Sequence, residues 1–216
     1  MNDIISISII IIWIIIILIA AAICRKGFPA QKELSRKIVH IGTGPIIPLA
    51  WALGISEKLA IPAAGLITIA LLINHRLRFI RAIEDVNRQS YGTIAYGFSI
   101  TFLLIFLWPN NADAVSAGVL VMSFGDGLAG LIGRQVISTN WIVFGQKKSL
   151  AGTLTMAITG VVILLLITFI SGVTIHPLLV VAIASLATIL EQISPWGIDN
   201  LTVPIGVAYA WLWCTR

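Results

Sequence analysis

Residues 4–23 form an unbroken apolar run of about twenty positions, the length that crosses a hydrocarbon layer as one helix. A secretory leader is the competing explanation. However, residues 1–3 contain no Lys or Arg, and the run is longer than a leader's apolar core. Ala21-Ala22-Ile23-Cys24 places Ile where a lipoprotein cleavage site needs a small residue, so the run reads as a retained helix. Further apolar runs follow at 38–54, 59–74, 93–108, 114–133, 149–170, 177–193 and 201–214. The expected fold is all-α, a polytopic transmembrane helix bundle of about 7–8 spans.

Composition closes the alternatives. In a chain of 216 residues, 58% are hydrophobic and 11% are charged, too little polar material to cover a soluble fold. The same apolar content excludes a disordered chain. The spans consume nearly all the residues, which leaves no room for a separate soluble catalytic domain. The whole of 1–216 is therefore expected to be one integral-membrane domain. Cys24 and Cys214 lie at opposite ends of the chain in no metal or redox spacing, and read as ordinary apolar residues.

The net charge of +5 is read as a topology signal rather than as a nucleic-acid footprint. Arg25, Lys26, Lys32, Arg36 and Lys37 precede the second run. Arg76, Arg78, Arg81 and Arg88 precede the fourth, and Arg134, Lys147 and Lys148 the sixth. If the runs alternate in direction, 12 of the 14 basic residues share one side, with Lys58 and Arg216 on the other. That asymmetry predicts cytoplasmic basic loops and a multi-pass protein whose polar material gathers on the cytoplasmic face. The segment 74–91 alternates Leu77, Phe79, Ile80 and Ile83 with arginines, and is expected to lie on the anionic membrane surface or to cover a bound nucleotide.

Helix starts on that face are anion sites by their unpaired N–H groups and dipole. Arg36, Lys37 and His40 can share one helix face there. Either they anchor the helix by snorkelling or they hold an anion. Gly145-Gln146-Lys147-Lys148-Ser149 offers a flexible glycine, two lysines and a candidate N-cap: a phosphate cradle or a capped topogenic loop. Phe124-Gly125-Asp126-Gly127-Leu128-Ala129-Gly130 contains G-x-G-x-x-G without the βαβ unit of a dinucleotide site. Gly125, Ala129 and Gly133, four apart, suit close helix packing. Packing does not account for Asp126, an acid about 12 Å along the helix from Arg134 at 1.5 Å per residue and a functional candidate by its place in the membrane. Glu191 and Asp199-Asn200 fall at the same face. Asn200 could be an N-cap, and Glu191 a partner for a loop arginine. Jointly the residues place three carboxylates, several cations and a histidine at one boundary. That is the donor set for Mg²⁺ and for phosphoryl transfer.

On these residues the chain resembles the polyprenol kinase family: its phytol and farnesol kinase branch and, more distantly, dolichol kinase and the CTP-dependent diacylglycerol kinase. The matching pieces are Arg36-Lys37-Ile38-Val39-His40 with Gly42 and Gly44, Ser123-Phe124-Gly125-Asp126-Gly127-Leu128-Ala129, and Gly133-Arg134. They continue through Phe144-Gly145-Gln146-Lys147-Lys148-Ser149-Leu150-Ala151-Gly152-Thr153 to Glu191 and Asp199-Asn200-Leu201-Thr202-Val203-Pro204. The resemblance spans residues 36–216 and leaves the first helix, 1–24, outside the core. Plant members carry a longer insertion where residues 135–146 stand here.

The resemblance implies a membrane kinase moving the terminal phosphate of CTP, with Mg²⁺, to an isoprenoid alcohol such as phytol. Asp126, Asp199 and Glu191 are then expected to ligate metal, with Asp126, Asp199 or His40 orienting the hydroxyl or taking its proton. Arg36, Lys37, Arg134, Lys147, Lys148, Ser149 and Asn200, with the backbone at Gly125 and Gly127, are expected to meet the phosphates. The expected partners are the lipid-soluble alcohol, the nucleoside triphosphate and membrane lipid, with no nucleic acid. The rival enzyme is a CTP:phosphatidate cytidylyltransferase. Its terminal signature contains H-G-G and D-R-x-D, whereas this chain has Pro195-Trp196-Gly197-Ile198-Asp199-Asn200. The non-enzymatic rival is a transporter, which would place polar groups at the midplane between inverted repeats; none is evident here.

Overall fold

The computed structural model describes residues 3–77, 79 and 91–216. Most of the arginine-rich segment 74–91, expected on the membrane surface, lies outside them. The described elements are α1 (Asp3–Gly27), α2 (Lys32–Thr43), α3 (Ile46–Ala52), α4 (Glu57–Leu77), α5 (Gly92–Leu107) and α6 (Ala112–Gln135). A hairpin of β1 (Asn140–Val143) and β2 (Gln146–Ser149) follows, then α7 (Leu150–Ser171), α8 (Pro177–Ile193) and α9 (Asp199–Thr215). The all-α membrane architecture holds. Helices α1, α4, α6 and α7 are long and apolar enough to cross a membrane, while α5 and α8 are apolar but shorter.

Two local features differ from the sequence expectation. The run 38–54 is two helices, not one. Pro45 has no N–H to continue the ladder, so Gly44 N–H turns back onto Ile41 O and the chain resumes as α3. The basic loop before α7 is a two-stranded antiparallel ribbon, with Trp141 opposite Lys148 and Ile142 opposite Lys147. Strand alternation sends adjacent lysines to opposite faces, so Lys148 turns inward and Lys147 stays exposed. Ser149 caps α7 as expected, its Oγ accepting from Gly152 N–H at 3.1 Å. Asn200 is no cap: it lies inside α9, and Ile198 holds the cap position.

The bundle has two distinguishable ends. At one, Trp108 Nε1 donates to Ile55 O at 2.9 Å, and Arg216 reaches Asn110 O at 3.3 Å. Trp211, fully buried in α9, donates to Asp113 at 2.9 Å. At the other end, the starts of α2, α5, α7 and α9 meet the ends of α6 and α8. There Tyr91 N–H donates to Trp196 O at 3.0 Å. Alternating helix direction is thereby kept, and the basic residues of α2, the end of α6 and β2 fall together.

Helix α6 is the hub, with most of its apolar length buried, whereas α1 and α4 leave theirs exposed to face lipid. Its small residues set how closely its neighbours approach. A Cβ on Gly118 would strike the Pro204 carbonyl of α9. One on Gly125 would strike Met156, and one on Gly133 would strike Ser149 and Gly152, both on the α7 side. One on Gly127 would strike Ile41 of α2. The stripe of Gly125, Ala129 and Gly133 is therefore the α6–α7 seam, and a second glycine row seats α2.

Gly118→Ala should destabilise the purified protein by about 1–3 kcal/mol, because backbone must move to admit one methyl. Gly65 in α4 has open space around it. Gly65→Ala should leave the melting temperature unchanged or raised, measured in the same detergent.

Candidate active site

At the basic end of the bundle a cleft of about 990 Å³ opens between α2, α6, the hairpin, α7, α8 and the start of α9. Its size suits a nucleotide-sized ligand. Each wall follows from helical or strand spacing. Glu33, Arg36 and Lys37 lie on one face of α2, and Asp126, Gly130 and Arg134 recur every fourth residue on α6. Lys148 projects from β2, while Glu191 closes α8 and Asp199 opens α9.

The floor is acidic. Asp126, Glu191 and Asp199 each offer a carboxylate oxygen, and these three oxygens all lie within 4.8 Å of one another. Like charges so close and so far from water repel strongly. Two lysines offset this in the same way. Lys37 Nζ donates to Asp126 Oδ2 at 2.6 Å and to the Asp126 carbonyl at 3.0 Å. Lys148 Nζ donates to Glu191 Oε1 at 2.5 Å and to the Glu191 carbonyl at 2.8 Å. Asp199 differs. Its Oδ1 accepts from Asn200 N–H at 3.0 Å and Nδ2 at 3.1 Å. Among the described residues, no Lys or Arg forms a salt bridge with it. Three hard oxygen donors with a surplus of negative charge fit a divalent cation.

One wall is cationic. Glu33 pairs with Arg36 at 2.5 Å and with Arg134 at 3.4 Å, so one carboxylate holds two guanidinium groups beside the cleft. Burial pushes the Glu33 carboxyl up. The hydrogen bond and charge of Arg36, joined by Arg134 and Lys37, outweigh this and hold it below its ordinary value.

Of the residues singled out in the sequence, Arg36, Lys37, Asp126, Arg134, Lys147, Lys148, Ser149, Glu191, Asp199 and Asn200 all line this cleft. Three do not. Gly125 and Gly127 are spent on the α7 and α2 seams. His40 stands behind Asp126, with Nε2 3.4 Å from Oδ2 but outside hydrogen-bond geometry, and its ring packs on Tyr96 at 4.7 Å. Glu33 and Gln192 are among the lining residues that the sequence reading does not single out. Glu33 was visible only as the i−3 neighbour of Arg36. Gln192 gives no sequence signal, yet it donates to Glu191 Oε2 at 2.7 Å and Thr153 Oγ1 at 2.9 Å and accepts from Trp141 Nε1 at 3.2 Å.

Lys37→Met should cost up to about 3 kcal/mol of stability, because it leaves the half-buried Asp126 carboxylate beside two other acids without its cation. Adding Asp126→Asn should recover much of that loss. Thermal unfolding of both variants in detergent checks this.

The chain is 35% identical over 206 residues to the phytol kinase of Synechocystis sp., covering 91% of this chain and 88% of that protein. It is 30% identical over 202 residues to the chloroplastic phytol kinase 1 of Arabidopsis thaliana, covering 83% of this chain and 66% of that one. To the chloroplastic farnesol kinase of the same plant it is 29% identical over 207 residues, covering 86% and 66% respectively. No protein-family model and no solved structure matches. An identity of 35% sustained over nearly the whole of both chains, on a fold that gathers its acids and lysines in one cleft, places this protein in the polyprenol kinase family, in its phytol and farnesol kinase branch.

Proposed function

We propose that this protein transfers the terminal phosphate of CTP to phytol, giving phytyl phosphate and CDP, at the cytoplasmic face of a membrane. The observation that carries the reading is the cleft itself: three clustered carboxylates flanked by lysines and arginines, in a chain related to phytol kinases. The basic loops at this end of the bundle support the cytoplasmic assignment.

In this reading Asp126, Asp199 and Glu191 would hold the divalent cation, Mg²⁺, which when bound would neutralise negative charge on the donor phosphates. Arg36 and Arg134, fixed by Glu33, grip phosphate oxygens with planar donor forks. Lys37 and Lys148 tie the acids in place and present positive charge where negative charge develops during transfer. Lys147 and the Ser149 end of α7 add to the phosphate field. His40 backs Asp126 and limits its rotation. Asp199, which pairs with no Lys or Arg among the described residues, also accepts the proton of the alcohol hydroxyl. The alcohol oxygen bonds to the terminal phosphorus, the bond from that phosphorus to the bridging oxygen breaks, and CDP leaves. The prenyl chain stays in the lipid phase, so only the hydroxyl has to reach the boundary.

Purified protein in lipid nanodiscs, given phytol, Mg²⁺ and CTP labelled in its terminal phosphate, should yield labelled phytyl phosphate. Asp126→Asn and Asp199→Asn should each lower kcat at least about 100-fold, as loss of a preorganised electrostatic group does. No labelled lipid from any alcohol or nucleotide would end the kinase reading. A CDP-lipid with free pyrophosphate would transfer the protein to the cytidylyltransferases.

A further inference from the structure

Among the described residues, only Phe144 and Trp196 have positive φ without being glycine, at 47° and 52°. Each is followed by a glycine that also has positive φ, Gly145 at 76° and Gly197 at 86°. The first pair is the two-residue loop of the hairpin, between Val143 and Gln146. With both φ values positive this is the turn ordinarily filled by Asn-Gly. An aromatic side chain in that backbone region is strained by about 1–2 kcal/mol. Burial does not compensate, because Phe144 is 69% and Trp196 58% exposed.

Both residues nevertheless line the same cleft. Its depth ordering is clear from exposure. Lys37, Glu191 and Asp199 at the floor are under 9% exposed, whereas the two aromatics stand at the mouth. The Trp196 turn is held firmly. Tyr91 N–H donates to the Trp196 carbonyl at 3.0 Å, while Asn200 N–H and Nδ2 both donate to the Gly197 carbonyl at 3.2 Å. The strained turn is thus tied through Asn200 to the residue beside Asp199.

We infer that Phe144 and Trp196 form the base-binding mouth of the cleft, stacking on the flat ring of a nucleoside triphosphate whose phosphates lie deeper. The inference rests on the kinase reading for the identity of the donor. Exposed aromatic faces, strained backbone and a charged floor in one cleft match a ligand that is planar at one end and anionic at the other. Stacking accepts any base, so the pair supplies affinity and not choice among nucleotides.

The test uses full-length protein in nanodiscs and equilibrium binding of CTP, ATP and inorganic triphosphate in the presence of Mg²⁺. Phe144→Asn and Trp196→Asn remove each ring while installing a residue that accepts positive φ, so the melting temperature should hold or rise. Each should weaken CTP and ATP roughly tenfold and leave inorganic triphosphate unchanged, within the range that stacking on one base contributes. Phe144→Tyr and Trp196→Phe should retain nucleotide affinity. In turnover assays the Asn variants should raise the nucleotide KM far more than they lower kcat. Unchanged CTP affinity in both Asn variants overturns the inference, as does equal weakening of CTP and inorganic triphosphate. An effect confined to the KM of the alcohol overturns it too, and assigns the rings to the lipid interface. Because binding needs no acceptor, wild-type protein that binds nucleotide but phosphorylates no alcohol sinks the kinase reading alone. Wild-type protein that binds no nucleoside triphosphate sinks the inference.

Discussion

Three carboxylates held within a few ångströms of one another near a membrane boundary are a severe electrostatic demand, and the cleft end of this protein is arranged around meeting it. Lys37 and Lys148 each seize a carboxylate and the backbone carbonyl of the same residue, which fixes both the charge and its position. The two lysines arrive on different elements, α2 and β2, so neither the helix packing nor the hairpin can move without exposing an uncompensated charge. Asp199 is left without such a partner among the described residues. The floor of the cleft, with three acids and two lysines, therefore keeps a local excess of negative charge that favours a cation, while the arginine wall favours anions.

The approach of those elements depends on missing side chains. Lys37 reaches Asp126 because Gly127 and Gly130 leave room for α2 against α6, and α7 sits close because Gly125 and Gly133 lack a Cβ. In lipid there is little hydrophobic force between helices, so close packing of backbones supplies what burial supplies in water. The glycine-rich segment around Asp126 thus shapes the cleft indirectly. Its acid faces the cleft while its glycines bring the cations within reach.

Glu33 and Gln192 extend the same logic outward. Neither carries charge to a ligand. One spaces two arginines along the cationic wall, and the other binds the hairpin, α7 and the Glu191 carboxylate into one hydrogen-bonded unit. The hairpin is short and stands at the rim, yet this contact and the Lys148 ion pair register it to the floor of the cleft.

The apolar runs determined by themselves that the chain is a membrane helix bundle, since no soluble arrangement could cover them. The spacing of basic residues determined which connections share an end. The types and approximate depth of Asp126, Glu191, Asp199, Lys37 and Lys148 were legible too, because acids and cations at the edge of apolar runs have few structural uses. What the sequence could not determine was pairing. Which lysine meets which carboxylate, and that Gly125 and Gly127 pack rather than line, depend on how helices distant along the chain rotate against one another. That rotation is set by side-chain volumes on both partners at once. The break at Pro45 and the hairpin at 140–149 escaped for a related reason. A proline within an apolar run is compatible with either a kinked span or two helices, and a ten-residue connecting segment becomes a ribbon only when neighbouring elements hold it. Gln192 and the two strained aromatic turns left no periodic trace, so only the tertiary structure, by closing the cleft around them, gave them a place in it.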